Sequence, residues 1–349
     1  MFVLPGLRPH VVAGLGGSSN LAIAVTREGL HFARISEASQ GVLNARITAF
    51  RCQIALNEPS CSTAELALLR GVMVLDGPGT ADGFDPAVAQ ALYRDLFGRI
   101  EPALAGKTHP VIVPPPDLLR LPFQALVTGT AIEEIPWMIR RHAISVLPSV
   151  PAWKALREAP PVVSDHLLAV GDPVLAAAVP ADCTASGVAI ARSSASLRPE
   201  TMPNGAALAQ PDQLRALPSL PDASCEINAI ADAFAPAKAK LLLQGAAREG
   251  QIKALNAEGR LQDFGTLVFA THGLLAGEAG ALEPRLALTP PAIATKADDG
   301  LLTASEIESL TLNARLLILS ACNTAGGDGQ DGDGLSGLTR AFFQAWATT

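Results

Sequence analysis

Thr266-Leu267-Val268-Phe269-Ala270 runs without a break into Thr271-His272-Gly273, and further along Leu316-Leu317-Ile318-Leu319 runs into Ser320-Ala321-Cys322. Neither run alternates apolar with polar residues, so both read as strands covered on two faces. Each delivers one reactive side chain, an imidazole or a thiol, just past its carboxyl end. In an open α/β sheet that edge is where sites form, because the loops there diverge and leave a crevice. His272 and Cys322 stand 50 positions apart (322 minus 272), enough for a crossover and an extra hairpin.

The flanking sequence repeats the pattern. Residues 167–170 and 240–243 read as further buried strands, and residues 222–234, 247–255, 303–310 and 335–345 as helices. Strands separated by helices predict a mainly parallel sheet with helices on both faces. Residues 178–218 show no firm periodicity and read as a surface insertion. Upstream, the apolar runs 21–25 and 30–33 flank Arg27-Glu28-Gly29 as a hairpin. Asp85 is placed to cap a helix over about 86–100, with Val88, Leu92, Leu96 and Ile100 on one face. Val111-Ile112-Val113 is a short strand that Pro114-Pro115-Pro116 must end, and residues 143–147 are another strand. The proline-rich stretch at Pro160-Pro161 suggests a boundary, dividing the chain into 1–160 and 161–349.

Composition narrows the function classes. A hydrophobic fraction of 49% with 17% charged residues belongs to a folded chain. The net charge is −7 and the 26 basic residues form no dense run, which argues against a nucleic-acid partner. No stretch approaches the ~20 apolar residues that cross a bilayer. The N-terminus lacks the layout of a secretion signal. Five widely spaced cysteines, Cys52, Cys61, Cys183, Cys225 and Cys322, include no CxxC and read as reduced thiols of a cytoplasmic protein, Cys225 packed within its helix. High alanine and proline with few aromatics fits a bacterial source.

The chemistry of the pair is nucleophilic. A thiol with a pKa of ~8.5 is mostly protonated at neutral pH, and an adjacent imidazole helps form the thiolate. Gly273 has no side chain, so the backbone amides there can approach a substrate carbonyl and stabilise an oxyanion.

Taken together, several segments carry a resemblance. Ala270-Thr271-His272-Gly273, Asp299-Gly300-Leu301-Leu302-Thr303-Ala304-Ser305-Glu306-Ile307, Leu319-Ser320-Ala321-Cys322-Asn323-Thr324-Ala325 and Gly334-Leu335-Ser336-Gly337-Leu338 look like the CHAT domain. Upstream, Val111-Ile112-Val113-Pro114, Leu121-Pro122-Phe123-Gln124-Ala125-Leu126, Pro148-Ser149 and Val170-Gly171-Asp172-Pro173 fit the same pattern. The chain thus resembles that family over roughly residues 21–343. The family is similar to caspases, in which a histidine also lies about 50 residues before the nucleophile.

The resemblance implies an α/β fold: a caspase-like three-layer sandwich with a mainly parallel central sheet, preceded by a smaller α/β region. It implies a cysteine endopeptidase with no metal and no cofactor. His272 would be general base and acid, Cys322 the nucleophile, and the amides of Gly273 and Cys322 the oxyanion donors. The substrate would be a protein or peptide cut after a basic residue, with Asp172 the leading acid for that pocket and Asp328, Asp331 or Asp333 behind it. The family continues with further strands beyond Phe342-Phe343-Gln344-Ala345-Trp346, so residues 161–349 read as a catalytic region lacking its C-terminal strands. The corresponding expectation is activation by cleavage or by a partner, either a second chain completing the fold or a helical-repeat regulator. The rival reading is a catalytically silent interaction module; another acyl-transfer reaction is the third.

Other signals are weaker. Val11-Val12-Ala13-Gly14-Leu15-Gly16-Gly17 has no helix after it to make a dinucleotide loop. The stretch from Asp328 to Gly334 is a poor calcium loop, because Arg340 occupies the place of the bidentate glutamate. It reads better as a mobile loop, with an exposed processing site as the alternative. His10, His31, His109, His142 and His166 lack partners at useful spacing and read as surface or structural residues.

Overall fold

The computed structural model describes residues 11–16, 21–34, 40–54, 85–115, 118, 121–129, 134–147, 149–158, 162–175, 183, 200–201, 207–209, 211–274, 283–321 and 337–347. The chain divides into two compact units, Gly6–Lys154 and one made mainly of Ala155–Thr349. Longer elements are numbered in chain order, and single helical turns are named by residue.

In the first unit, β1 (Val11–Gly16), β2 (Leu21–Val25) and β3 (Leu30–Arg34) form an antiparallel meander. Helices α1 (Gln40–Ile54) and α2 (Pro86–Leu96) follow, then β4 (Pro110–Val113) and β5 (Ser145–Val146), and the chain passes from one unit to the other within α3 (Val150–Glu158). Strands β4 and β5 add in parallel, giving the order β3-β2-β1-β4-β5. The glycine-rich stretch after Val11 is therefore a strand. Asp85 caps α2 as expected, its carboxylate accepting the Ala87 N–H at 2.9 Å with Pro86 at the first helical position. The helix ends sooner than its periodicity predicts, at Leu96, and a separate turn follows at Glu101–Leu104. Val88, Leu92, Leu96 and Ile100 are all buried, with Phe97 edge-on to Phe123 at 6.0 Å. His142 Nδ1 meets the Lys107 carbonyl at 2.6 Å and His109 meets Thr108 Oγ1 at 2.7 Å, so both are structural.

The second unit begins with β6 (Leu167–Pro173), β7 (Glu200–Thr201) and β8 (Ala207–Leu208), then α4 (Pro221–Ala231), β9 (Ala239–Gln244) and α5 (Glu249–Ala257). It continues with β10 (Thr266–Ala270), β11 (Gly273–Leu274), β12 (Arg285–Ala287), β13 (Leu301–Thr303), α6 (Ala304–Glu308), β14 (Leu316–Ser320) and α7 (Gly337–Ala347). Its central sheet, in the order β14-β10-β6-β9, is parallel throughout, as the unalternated apolar runs require.

Successive side chains of a strand face opposite ways, and here both faces are covered. Leu168, Val170, Leu242, Leu267 and Phe269 pack with Ile252, Leu255, Ile307, Leu338 and Phe342 of α5, α6 and α7. Leu167, Ala169, Val268 and Ala270 pack on the other face with Ala223 and Ile227 of α4. The result is a three-layer α/β sandwich. Phe269, with its ring centroid 5.2 Å from that of Phe342, is buried to 2% exposure. Such burial stabilises by roughly 1.5–3 kcal/mol per large side chain.

Two expectations need correction. The stretch read as an aperiodic insertion contains the β7–β8 hairpin and a helical turn at Pro211–Leu214, and it buries Leu214 and Leu217 against Leu175, Ala287 and Leu301. Single turns and two-residue strands are too short to show a period. Second, Cys183 and Cys225 are not reduced: they form a disulfide with their Cα atoms 5.4 Å apart. Cys52 is also disulfide-bonded. Closing a loop across 42 residues contributes ~4 kcal/mol in the chain-entropy view. Disulfides belong to oxidising compartments, so the cytoplasmic placement drawn from cysteine spacing loses its support. Among the described residues no helix is long and apolar enough to cross a membrane.

Candidate active site

The carboxyl edge of the central sheet is set by register. Leu243, Gly171, Ala270 and Ser320 form the last row complete across β9, β6, β10 and β14. A Cβ on Gly171 would lie 2.5 Å from the Ala270 carbonyl and 2.6 Å from Ile227 Cδ1. Only glycine lets α4 come this close, and α4 in turn brings its preceding turn over the edge.

That turn holds the histidine. His272 is 8% exposed, and its Nε2 lies 2.9 Å from the Pro218 carbonyl oxygen. A carbonyl only accepts, so Nε2 carries the hydrogen and, in the neutral ring, Nδ1 keeps its lone pair. The backbone is fixed as well: His272 O accepts the Ala287 N–H at 2.9 Å, and Thr271 Oγ1 donates to the Ala287 carbonyl. These bonds start a small antiparallel sheet, β11-β12-β13, directly from the histidine. Gly273 faces Leu286 in a pair flanked by the His272–Ala287 bond, so its N–H is outside the ladder.

On the neighbouring strand, Ser320 Oγ donates to Glu226 Oε2 of α4 at 2.7 Å. The segment from Pro218 to Glu226 therefore touches both strand ends. Cys322, two positions beyond Ser320, lies outside the described residues, as do Asp328, Asp331 and Asp333.

Asp172 lies on this same edge, in a bulge where the pairing with β9 skips from Gly171 to Pro173. Its φ is +48°, and Gln244, at the end of the adjacent strand, has φ +49°. A left-handed conformation costs a non-glycine residue on the order of 1–3 kcal/mol, and such residues gather at functional sites. Gln244 Nε2 reaches Asp172 Oδ2 at a long 3.5 Å. Partial burial pushes the Asp172 carboxyl up. Among the described residues no cation pairs with it.

The run from Asp299 to Ile307 forms a polar brace behind the site. Asp299 accepts the N–H groups of Ala209 at 2.9 Å and Leu301 at 3.0 Å. Gly300 has φ +88° with Pro290 against it. Thr303 and Glu306 form a capping box at the start of α6. Glu249, 1% exposed, accepts the N–H of Asp299 at 2.8 Å and of Gly300 at 3.1 Å. It also pairs with Lys253, which reaches Glu306 at 2.7 Å. Burial pushes the Glu249 carboxyl up to about 7, outweighing the hydrogen bonds that favour its charge.

An imidazole and an unpaired carboxylate at the carboxyl edge of a doubly covered parallel sheet define the class: a caspase-like α/β sandwich with a candidate site at its crevice. The model of the CHAT domain family matches residues 86–348, and the chain belongs to that family. No curated protein matches the chain.

Sequence reasoning reached His272 and Asp172 but missed the Pro218 carbonyl, Glu226 and Gln244. A backbone carbonyl has no side-chain signature. The Leu217-Pro218 pair, followed by a helix, was the only hint of a fixed turn over the edge.

Proposed function

We propose that this protein is a cysteine endopeptidase with His272 and Cys322 as its dyad. The observation that carries the reading is the fixed imidazole: Nε2–H is committed to Pro218 O, which leaves Nδ1 as the base. The register supports the pairing. Ala270 is opposite Ser320, and His272 and Cys322 each follow that rung by two positions in sequence. Adjacent strands run about 4.8 Å apart.

The cycle follows. Nδ1 takes the thiol proton and Sγ of Cys322 attacks the scissile carbonyl carbon. The oxygen, now negative, is met by the N–H of Gly273 and, by family resemblance, that of Cys322. The C–N bond breaks as the imidazolium protonates the leaving amine. Water then attacks the thioester, giving its proton to Nδ1, and the carboxylic acid leaves with the thiol restored. A carboxylate that is partly desolvated and unpaired favours a cationic side chain before the cut, so Asp172 selects Arg or Lys. Activation by a partner or by cleavage is part of the same reading.

A fluorogenic panel with Arg, Lys, Gln or Leu before the leaving group tests it. Wild type is expected to cleave the Arg and Lys members and Cys322→Ala none. An inert but folded wild type would favour a silent interaction module.

A further inference from the structure

The two left-handed corners at the site share one partner. Thr289, 5% exposed, donates its hydroxyl to the Gln244 carbonyl at 2.6 Å and accepts the Val174 N–H at 2.9 Å. Its own N–H bonds the Ala247 carbonyl at 2.8 Å. One buried side chain therefore ties the end of β9, at Gln244, to the chain leaving β6 just after Asp172-Pro173. Two positions upstream, the Ala287 N–H holds the His272 carbonyl at 2.9 Å, and between them the Leu288 N–H bonds Gly300 O at 2.8 Å. Residues 287–289 thus link the histidine's backbone, held by the Ala287 N–H, to Gln244 and Val174 beside the Asp172 corner, held by the Thr289 hydroxyl.

We propose that Thr289 is a positioning residue for substrate selection: its hydroxyl locks the Gln244 and Asp172 corners and so sets where the Asp172 carboxylate stands relative to His272. The proposal rests on the peptidase reading above. Threonine suits the task for two reasons. Its hydroxyl has one donor and two acceptor lone pairs, enough for both bonds. Its β-branch restricts χ1, so the hydroxyl is aimed without freedom to turn away. A valine of the same shape would leave the Val174 N–H without its acceptor and the Gln244 carbonyl with the Ala247 N–H alone, at 2.9 Å, so the link between the two left-handed corners would be lost.

The test compares wild type, Thr289→Ser and Thr289→Val on peptides with Arg before the leaving group and on the same peptides with citrulline, a neutral isostere. Thr289→Ser is expected to keep the Arg preference. Thr289→Val should raise KM for the Arg peptide roughly tenfold or more with kcat little changed, because the carboxylate is misplaced while the dyad is not. Its preference for Arg over citrulline should fall by the same factor. Asp172→Asn should lose that preference too, and adding Thr289→Val to it should lower the preference no further. If Thr289→Val does not fold, Thr289→Cys, with a weak S–H donor, takes its place. Equal losses on both peptides with the preference intact would overturn the proposal, since a merely structural threonine behaves that way. A wild type that cleaves neither peptide would instead remove the peptidase reading, and this proposal with it.

Discussion

His272→Ala is expected to lower kcat/KM on an Arg peptide by about a thousandfold or more, because in the proposed mechanism it removes both base and acid from one cycle. Stability should change far less. The variant leaves one Pro218 carbonyl without its donor, a loss on the order of 1 kcal/mol. Combining His272→Ala with Cys322→Ala should cost little beyond either alone, since the two act as a unit. Steady-state kinetics with a thermal melt on each variant checks this; a loss under tenfold would place the chemistry elsewhere.

The second large effect lies in the brace. Glu249→Ala removes the acceptor for two backbone N–H groups and one partner of Lys253, all at a side chain 1% exposed. Breaking a buried charged contact on one side typically costs about 3–5 kcal/mol. The variant is expected to melt well below wild type, with Asp299 and Gly300 losing their anchor.

The pH dependence has a definite sign. Glu249 binds its proton more tightly folded than unfolded, with a pKa raised from 4.5 to about 7. Its contribution to stability is fully present below pH 4.5 and is lost as pH rises through about 7. The full swing is on the order of 3 kcal/mol, since each tenfold difference in proton affinity between the folded and unfolded chain is worth about 1.4 kcal/mol. Melting across pH 4.5 to 8 should show that fall in wild type and a flatter profile in Glu249→Gln. An identical profile in both would contradict the assignment.

The parallel sheet was legible because residues 266–270 and 316–319 are apolar without alternation, which only a doubly covered strand allows. The capping of α2 was legible for a similar reason: Asp85 is a local signal with a local cause. The run from Asp299 to Ile307 was visible only as a family pattern. Its physical basis, a turn glycine, an aspartate holding two amides and a capping box, needed coordinates.

What escaped the sequence is non-local. Pro218 reaches His272 across 54 positions through a carbonyl that every residue possesses. Asp172 and Gln244 are ordinary residue types whose left-handed φ no local pattern announces. Five cysteines allow many pairings, and spacing alone could not favour Cys183 with Cys225 over free thiols.

The central claim, that His272 activates Cys322, is tested most directly by covalent labelling. Wild type and His272→Ala are treated with a peptidyl-arginine chloromethyl ketone, and the adduct is located by peptide mass mapping. The account predicts a single adduct on Cys322 that forms at least a hundredfold more slowly without the imidazole. An adduct forming at the same rate in both proteins, or none on folded wild type, would contradict it.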